Sequence, residues 1–347
     1  MKFVSTKLNM KLQNDISLKS FNTFGIDVAA KYFAEINSLE DFYSLQNESA
    51  YKNNKLLILG GGSNILFTKN YEGLVIKNNL KGIEIAKEDD DFVWIKAAAG
   101  ENWHNFVLWC VGKNYGGLEN LSLIPGCVGA APMQNIGAYG VEIKDTCEQV
   151  FAIDLETGKE TIFTNEDCKF AYRESIFKKS HKNKFLLTSV IFKLTKKPVF
   201  NTSYGAIEQE LSAMGVTDLN IKTISDAVIK IRSSKLPDPA KIGNAGSFFK
   251  NPEVTKQKHD ELKQKFEKLV SYPLDNGNYK LAAGWLIEYC GFKGKRNGQA
   301  GVHTNQALVL VNYGGAAGNE IYDLSQKVLD TVKNAFGVAL EREVNIY

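Results

Sequence analysis

Apolar residues cluster in short runs broken by turns through the first half of the chain and recur at helical spacing through much of the second. Residues 55–59 (Lys-Leu-Leu-Ile-Leu) read as a strand that ends in Gly60-Gly61-Gly62-Ser63-Asn64 and is followed by a second apolar run at 65–67. Residues 92–96 predict another strand. Over 101–114, Trp103, Phe106, Val107, Cys110 and Val111 are spaced as one face of a helix, which Gly116-Gly117 stops. No period survives over 119–140, where two prolines, four glycines and three alanines fall close together. A stretch of that kind inside a folded domain lets main chain approach a ligand or another main chain closely. Strand-like runs return at 150–154, 161–164 and 185–194.

Beyond Pro198 the pattern becomes more helical. A helix is predicted to start at Thr223, its hydroxyl capping and Asp226 completing a short capping box, with Ile224, Val228 and Ile231 as its apolar stripe and Pro237 and Pro239 as its end. Residues 260–270 predict an amphipathic helix with Leu262, Phe266 and Leu269 inside, and 281–290 an apolar helix closed by Gly291. Residues 318–336 predict a long helix carrying Ile321, Leu324, Val328 and Val332, with Gly337 as its C-terminal cap. Residues 338–347 read as a final strand. The expected fold class is α+β in two main parts, divided near 196–201, with no internal repeat.

Composition narrows the function classes. At 347 residues the chain fits two or three domains. Its apolar fraction of 44% and charged fraction of 23% are those of a globular protein. A net charge of +3 gives no global field for nucleic acid or an anionic membrane, so any anionic substrate must be met by a few placed cations. No apolar run approaches the roughly 18–20 residues that span a bilayer, and residues 1–10 have no signal-peptide core, so a cytoplasmic protein is expected. Five widely spaced cysteines without a CxxC pair predict reduced, mostly buried thiols, and four scattered histidines predict no metal site.

Several segments have residue types that can do chemistry, each beside a plainer reading. The 60–64 turn can present main-chain N–H groups to an anion such as a dinucleotide pyrophosphate, although it is neither GxGxxG nor Walker A, and a triple glycine also serves as an ordinary turn. Residues 170–177 place Arg173 between aromatic anchors, where a guanidinium can grip a carboxylate or phosphate, or form a solvated turn. Arg232 and Lys235, near the end of the Thr223 helix, complement its C-terminal dipole. In 243–252 (Gly-Asn-Ala-Gly-Ser-Phe-Phe-Lys-Asn-Pro) glycines put Ser247 on a permissive backbone. With no histidine nearby a hydroxyl acting as proton donor suits it better than a hydrolytic nucleophile. Alternation along 338–347 sets Glu341, Glu343, Asn345 and Tyr347 on one face and Leu340, Arg342, Val344 and Ile346 on the other. Tyr204 lies in a turn, free to fold over a ligand or to decorate the surface.

Taken in order, these segments resemble the UDP-N-acetylenolpyruvoylglucosamine reductase family, in its first structural type. The resemblance rests on Asn22-Thr-Phe-Gly-Ile26, residues 60–66, Gly100-Glu-Asn-Trp103, Leu118-Glu-Asn-Leu121, Ile124-Pro-Gly-Cys-Val-Gly129, Gln134-Asn-Ile-Gly-Ala-Tyr-Gly140, Tyr172-Arg-Glu-Ser175, Lys235-Leu-Pro-Asp-Pro239, residues 243–252, Leu281-Ala-Ala-Gly-Trp-Leu-Ile287 and Leu340-Glu-Arg-Glu-Val344, nearly the whole chain. It implies an FAD-binding module of the vanillyl-alcohol-oxidase/para-cresol-methylhydroxylase type over 1–196, in two subdomains split near 75. A substrate-binding α+β domain follows over 197–347, its last strand returning to the active site. The resemblance assigns FAD binding to Gly60, Gly61, Gly62, Ser63, Asn64, Pro125, Gly126, Gln134, Asn135, Gly137, Ala138, Tyr139 and Gly140. The 60–64 turn has no His or Cys, so the FAD is expected to be non-covalent. NADPH is the implied reductant, and the enolpyruvyl ether of UDP-N-acetylglucosamine the implied substrate of a monomeric enzyme. Ser247 matches the proton donor, and Arg173 with Glu343 the pair that polarises the substrate carboxylate. Tyr204, Arg232, Lys235 and Asn251 match substrate-binding positions. Arg342 departs from the pattern, since the family carries proline between the two glutamates; on the face opposite Glu343, its effect is expected to be structural.

Overall fold

The computed structural model describes residues 10–203 and 205–347. Two compact units are interleaved in sequence, one from described residues up to 16, 29–61 and 71–234, the other from 17–28, 62–70 and 235–347.

The first unit holds two sheets. In the four-stranded sheet the order is Gln13–Ser17, Ala29–Ile36, Tyr71–Asn78, Leu56–Leu59, with Ala29–Ile36 and Leu56–Leu59 both parallel to Tyr71–Asn78. Helix Leu39–Leu45 covers it, begun by a capping box in which the Ser38 hydroxyl accepts from the Asp41 N–H and the Asp41 carboxylate accepts from the Ser38 N–H. The second sheet is antiparallel, in the order Glu160–Thr164, Cys147–Asp154, Phe185–Thr195, Phe92–Ala98, Ile83–Glu88. Ile153, Leu155 and Leu186 of this second sheet and the turn beside it join Ala34, Ile36, Phe42 and Ile76 in one core. Helix Trp103–Gly112 packs on its other side through Trp103, Phe106, Val107 and Cys110. Trp103, Phe106 and Phe192 form a ring cluster with centroids 5.1–5.9 Å apart. Burying aromatic side chains of this size is worth about 1.5–3 kcal/mol each. The aperiodic stretch resolves into three single 3-10 turns, Glu119–Leu121, Val128–Ala130 and Pro132–Gln134, and a small hairpin of Gly137–Ala138 with Val141–Glu142. Helices Gly205–Ala213 and Ile221–Lys235 complete the unit, packed through Ile207, Leu211, Ile224, Val228 and Ile231.

The start predicted at Thr223 is corrected by these contacts. The helix begins at Ile221 because Asn220 is the better cap: its carbonyl oxygen Oδ1 accepts from the Thr223 N–H (3.0 Å), and the Thr223 hydroxyl accepts from the Asn220 N–H (3.0 Å). Thr223 is thus the reciprocal member of the box, three residues inside.

The second unit holds a four-stranded sheet in the order Gly243–Ser247, Val309–Asn312, Ala300–Val302, Arg296–Asn297, and a three-stranded one of Glu253–Val254, Tyr279–Leu281 and Ser271–Pro273. The long helix Gly318–Phe336 buries Ile321, Leu324, Val328 and Val332 and ends at Gly337, at φ +65°. Two expectations are corrected here. The helix predicted over 260–270 lies at Lys256–Lys265, because Thr255 caps it and Phe266 leaves helical geometry; Leu269 is buried outside it. The strand predicted over 338–347 is regular only at Asn345–Ile346, parallel to Ile65–Leu66, with an isolated bridge from Arg342 to Phe249.

Gly318 opens the long helix against Phe67, and a Cβ there would sit 1.7 Å from the Phe67 carbonyl oxygen. Gly318→Ala should therefore destabilise the protein by at least about 2 kcal/mol in chemical denaturation. Gly112→Ala, at a helical position with open space around it, should be neutral or stabilising by up to about 1 kcal/mol. Equal shifts in the two variants would contradict this reading of the close contact.

Candidate active site

Each unit carries its own share of the predicted site residues. The 60–64 turn leads from strand Leu56–Leu59 to strand Ile65–Leu66. Gly61 lies directly against Gly126, so that a Cβ on it would come 2.8 Å from the Gly126 Cα. Gly62 stands at φ +64°, a conformation that reverses the chain and turns successive N–H groups inward. Among the described residues no protein acceptor meets the N–H groups of Gly61, Gly62 or Ser63. Unpaired main-chain donors in series are what a diphosphate requires. Asn64 closes the turn differently: its side-chain amide donates to the Glu343 carbonyl (3.4 Å), and its own carbonyl accepts from the main chain and the side chain of Asn345.

The 125–140 stretch is held mainly by side chains. Gly126, at φ +116°, accepts from the Trp103 N–H, while Pro125 is exposed. Asn135, fully buried in the left-handed region, gives its amide to Glu142 and the Ala171 carbonyl and accepts from the Lys144 N–H. Gln134 accepts from Lys178, and the Tyr139 carbonyl accepts from Asn120. Gly140, at φ +80°, has its carbonyl held by Asn201. Gly137 and Ala138 form the small hairpin, with the Gly137 carbonyl accepting from Arg173 Nη2 at 2.9 Å.

Arg173 sits at φ +56° in a tight turn closed by two hydrogen bonds between Ala171 and Glu174. Such a conformation costs a non-glycine residue of order 1–3 kcal/mol and persists only where its surroundings fix it. Here Asn135, the Ser175 hydroxyl on the Met133 carbonyl (2.8 Å) and Lys178 tie the turn to the 133–137 main chain. Arg232 is half-buried beside it. Its Nε donates to the Leu123 carbonyl at 3.2 Å; burial works against its charge, Tyr139 supports the charge, and Arg173 opposes it.

In the second unit, Ser247 ends strand Gly243–Ser247 just after a bulge, with Gly246 at φ +68°. Asn244 shapes the bulge by accepting from the Gly246 N–H, and Thr23 secures Asn244 through its hydroxyl (2.6 Å). The Ser247 hydroxyl has no hydrogen-bond partner among the described residues. Lys250 is buried and paired with Glu341 at 2.7 Å. Asn251 accepts from the Ala283 N–H, opening helix Ala283–Tyr289, and its amide nitrogen has no partner among the described residues. Lys235 is exposed at a helix end, and Tyr204 lies outside the described residues. Sequence reasoning gave no role to Thr23, Asn120 or Asn244. Their motifs stand out, but a buried amide's partners are set by the fold.

Two descriptions of known families match this chain: an FAD binding domain over 30–164 and the C-terminal domain of UDP-N-acetylenolpyruvoylglucosamine reductase over 238–347. The first defines a flavin-nucleotide-binding enzyme, and the unpaired donors of the 60–64 turn and its glycine-lined approach to Gly126 suit such a group. The reductase of Flavobacterium johnsoniae is 54% identical over 97% of this chain and 100% of its own length, and that of Amoebophilus asiaticus 50% over 97% and 99%. The chain belongs to the UDP-N-acetylenolpyruvoylglucosamine reductase family. The crystal structure of the enzyme from Thermus caldophilus shares the fold, with a TM-score of 0.67 at 23% identity over 97% of this chain and 99% of that one.

One device in the first unit is pH-sensitive. Leu123, at φ +57°, donates its N–H to His104 Nδ1 (2.9 Å) while its carbonyl holds Arg232. Since the Leu123 N–H can only donate, His104 is neutral with its proton on Nε2. Burial first, and then the Arg232 charge, keep its pKa below the ordinary value. A depressed histidine pKa gives stability that is present above the unfolded value, about 6.5, and lost as pH falls through the folded one. The urea midpoint should therefore drop between pH 7 and pH 5, and less steeply in His104→Gln. Parallel pH dependences in the two proteins would contradict this.

Proposed function

We infer that this protein reduces the enolpyruvyl ether of UDP-N-acetylglucosamine to UDP-N-acetylmuramate with NADPH through FAD, a step in peptidoglycan precursor synthesis. The observation that carries the inference is full-length similarity to reductases of that name, 54% identical over 97% of the chain. When bound, FAD would supply two-electron hydride chemistry between NADPH and the substrate's vinylic CH2 carbon. The chain's own residues must then handle the negative charge left on the carbon that bears the carboxylate.

For this we propose Arg173, Ser247 and Glu343. A guanidinium and a carboxyl group on the substrate carboxylate spread the charge as it develops, which lowers the basicity of the carbanion. The Ser247 hydroxyl then delivers a proton to that carbon, completing addition of H− and H+ across the double bond. Its lack of a hydrogen-bond partner among the described residues supports this reading. Lys235, Arg232 and the open amide of Asn251 are proposed to hold the UDP-sugar, with Tyr204 as a further contact. The N–H groups of Gly61, Gly62 and Ser63 are proposed to hold the FAD diphosphate non-covalently, there being no His or Cys in the turn. No helix among the described residues is long and apolar enough to cross a membrane; we propose a cytoplasmic monomer.

Purified protein should be yellow, lose its flavin colour on anaerobic addition of NADPH, and regain it on addition of the enolpyruvyl sugar. Rapid reoxidation by oxygen with no response to the sugar would instead indicate an oxidase. Ser247→Ala should leave bleaching by NADPH within about 2-fold and slow sugar-dependent recovery by about 10²-fold or more, a typical effect of losing one placed catalytic group. Equal damage to both half-reactions would remove Ser247 from the proton-donor role.

A further inference from the structure

Glu343 lies on a segment with little regular structure of its own. Its N–H donates to the Phe248 carbonyl (2.8 Å), and two residues earlier the Glu341 carbonyl accepts from the Lys250 N–H (2.9 Å). These two bonds flank the isolated bridge between Phe249 and Arg342. The short ladder fixes the register of the segment carrying Glu343 against the one that begins with Ser247. A ladder this short leaves the pairing free to twist.

Arg342 supplies the missing restraint. Its Nε donates to the Ser325 hydroxyl and its Nη2 to the Gln326 side-chain oxygen, both at 2.8 Å, and the guanidinium lies 4.4 Å from the centre of the Tyr322 ring. All three partners belong to helix Gly318–Phe336, and Ser325 is fully buried in it. A planar fork held at two donor positions and stacked on a ring fixes direction as well as distance, which a flexible ammonium does not. On extended backbone, a side chain pinned to the helix sends its neighbour's the other way.

We propose that Arg342 is a positioning residue for Glu343: anchored to the long helix, it sets the backbone direction from which the Glu343 carboxyl group reaches the substrate. The proposal rests on the reading of Glu343 as a catalytic group. The interaction acts on the substrate half-reaction, because reduction by NADPH makes no demand on Glu343.

The test uses the FAD-loaded full-length protein, with Arg342→Met, Arg342→Lys, Gln326→Ala and Glu343→Gln compared in anaerobic stopped flow. Arg342→Met should slow sugar-dependent reoxidation by about 10–100-fold, the scale of a misplaced catalytic group. Bleaching by NADPH and the apparent KM for the sugar should stay within about 2-fold. Arg342→Lys and Gln326→Ala, which keep part of the anchor, should fall between, and Gln326→Ala carries the test if Arg342→Met does not fold. Hydrogen exchange gives a readout separate from catalysis: the Glu343 and Lys250 amides should lose protection in Arg342→Met while those of the 322–328 helix core keep theirs. Unchanged reoxidation, or equal loss in both half-reactions, would overturn the proposal. If Glu343→Gln itself reoxidises normally, the reading of Glu343 has failed, whatever Arg342 does to amide protection.

Discussion

Main chain meeting main chain, at distances only glycine allows, is the constraint on which the rest of this structure depends. Gly61 against Gly126, Gly100 against the Leu80 main chain, Gly243 against the Phe24 carbonyl and Gly318 against the Phe67 carbonyl each leave less than 3 Å for a Cβ. At these contacts the protein brings loops, strands and a helix end together without side chains between them. The cost is conformational entropy and exposed main-chain polarity, offset by cores such as that around Trp103, Phe106 and Phe192. Where the contact leaves N–H groups without a partner among the described residues, as at Gly61, Gly62 and Ser63, the same constraint supplies the donors that we propose for the FAD diphosphate.

A second layer consists of buried polar side chains that secure what glycine loosens. Asn135 spends its donors and acceptor on three partners, Asn244 sets the bulge before Ser247, and Asn22 closes the 18–26 loop on itself. Leu123, Asn135, Tyr139 and Arg173, all of the first unit, stand at positive φ. Strain maintained by a hydrogen-bonded surround is how a protein fixes a side chain before its ligand arrives. A chain with a net charge of only +3 can thus serve doubly anionic nucleotides through a few fixed cations and main-chain dipoles.

Much of this was legible in the sequence. The strand before the glycine turn, the helix of Trp103, the long helix from Gly318 and its Gly337 cap all follow from periodicity and caps, because those signals are local. What failed was also local in form but decided elsewhere. Asn220 outcompeted Thr223 as a cap, and the tail at 338–347 is regular for only two residues because its partners are the 248–250 segment and a helix face. The candidate site was legible as residue types at motif positions. The duties of Thr23, Asn120, Asn244 and the anchor of Arg342 were not, since hydrogen bonds between residues up to 221 positions apart leave no periodic trace. The expectation of a structural effect at Arg342 has specific contacts behind it, with Ser325, Gln326 and Tyr322.

The most direct measurement is on the main-chain donors themselves. In protein with 15N-labelled glycine and serine, the Gly61, Gly62 and Ser63 amide resonances should move strongly downfield when FAD is added to the apoprotein. They should stay in place with riboflavin, which lacks the diphosphate. If FAD binds and those three resonances do not respond, the glycine turn is not the diphosphate site, and the link drawn here between close main-chain approach and cofactor binding is wrong.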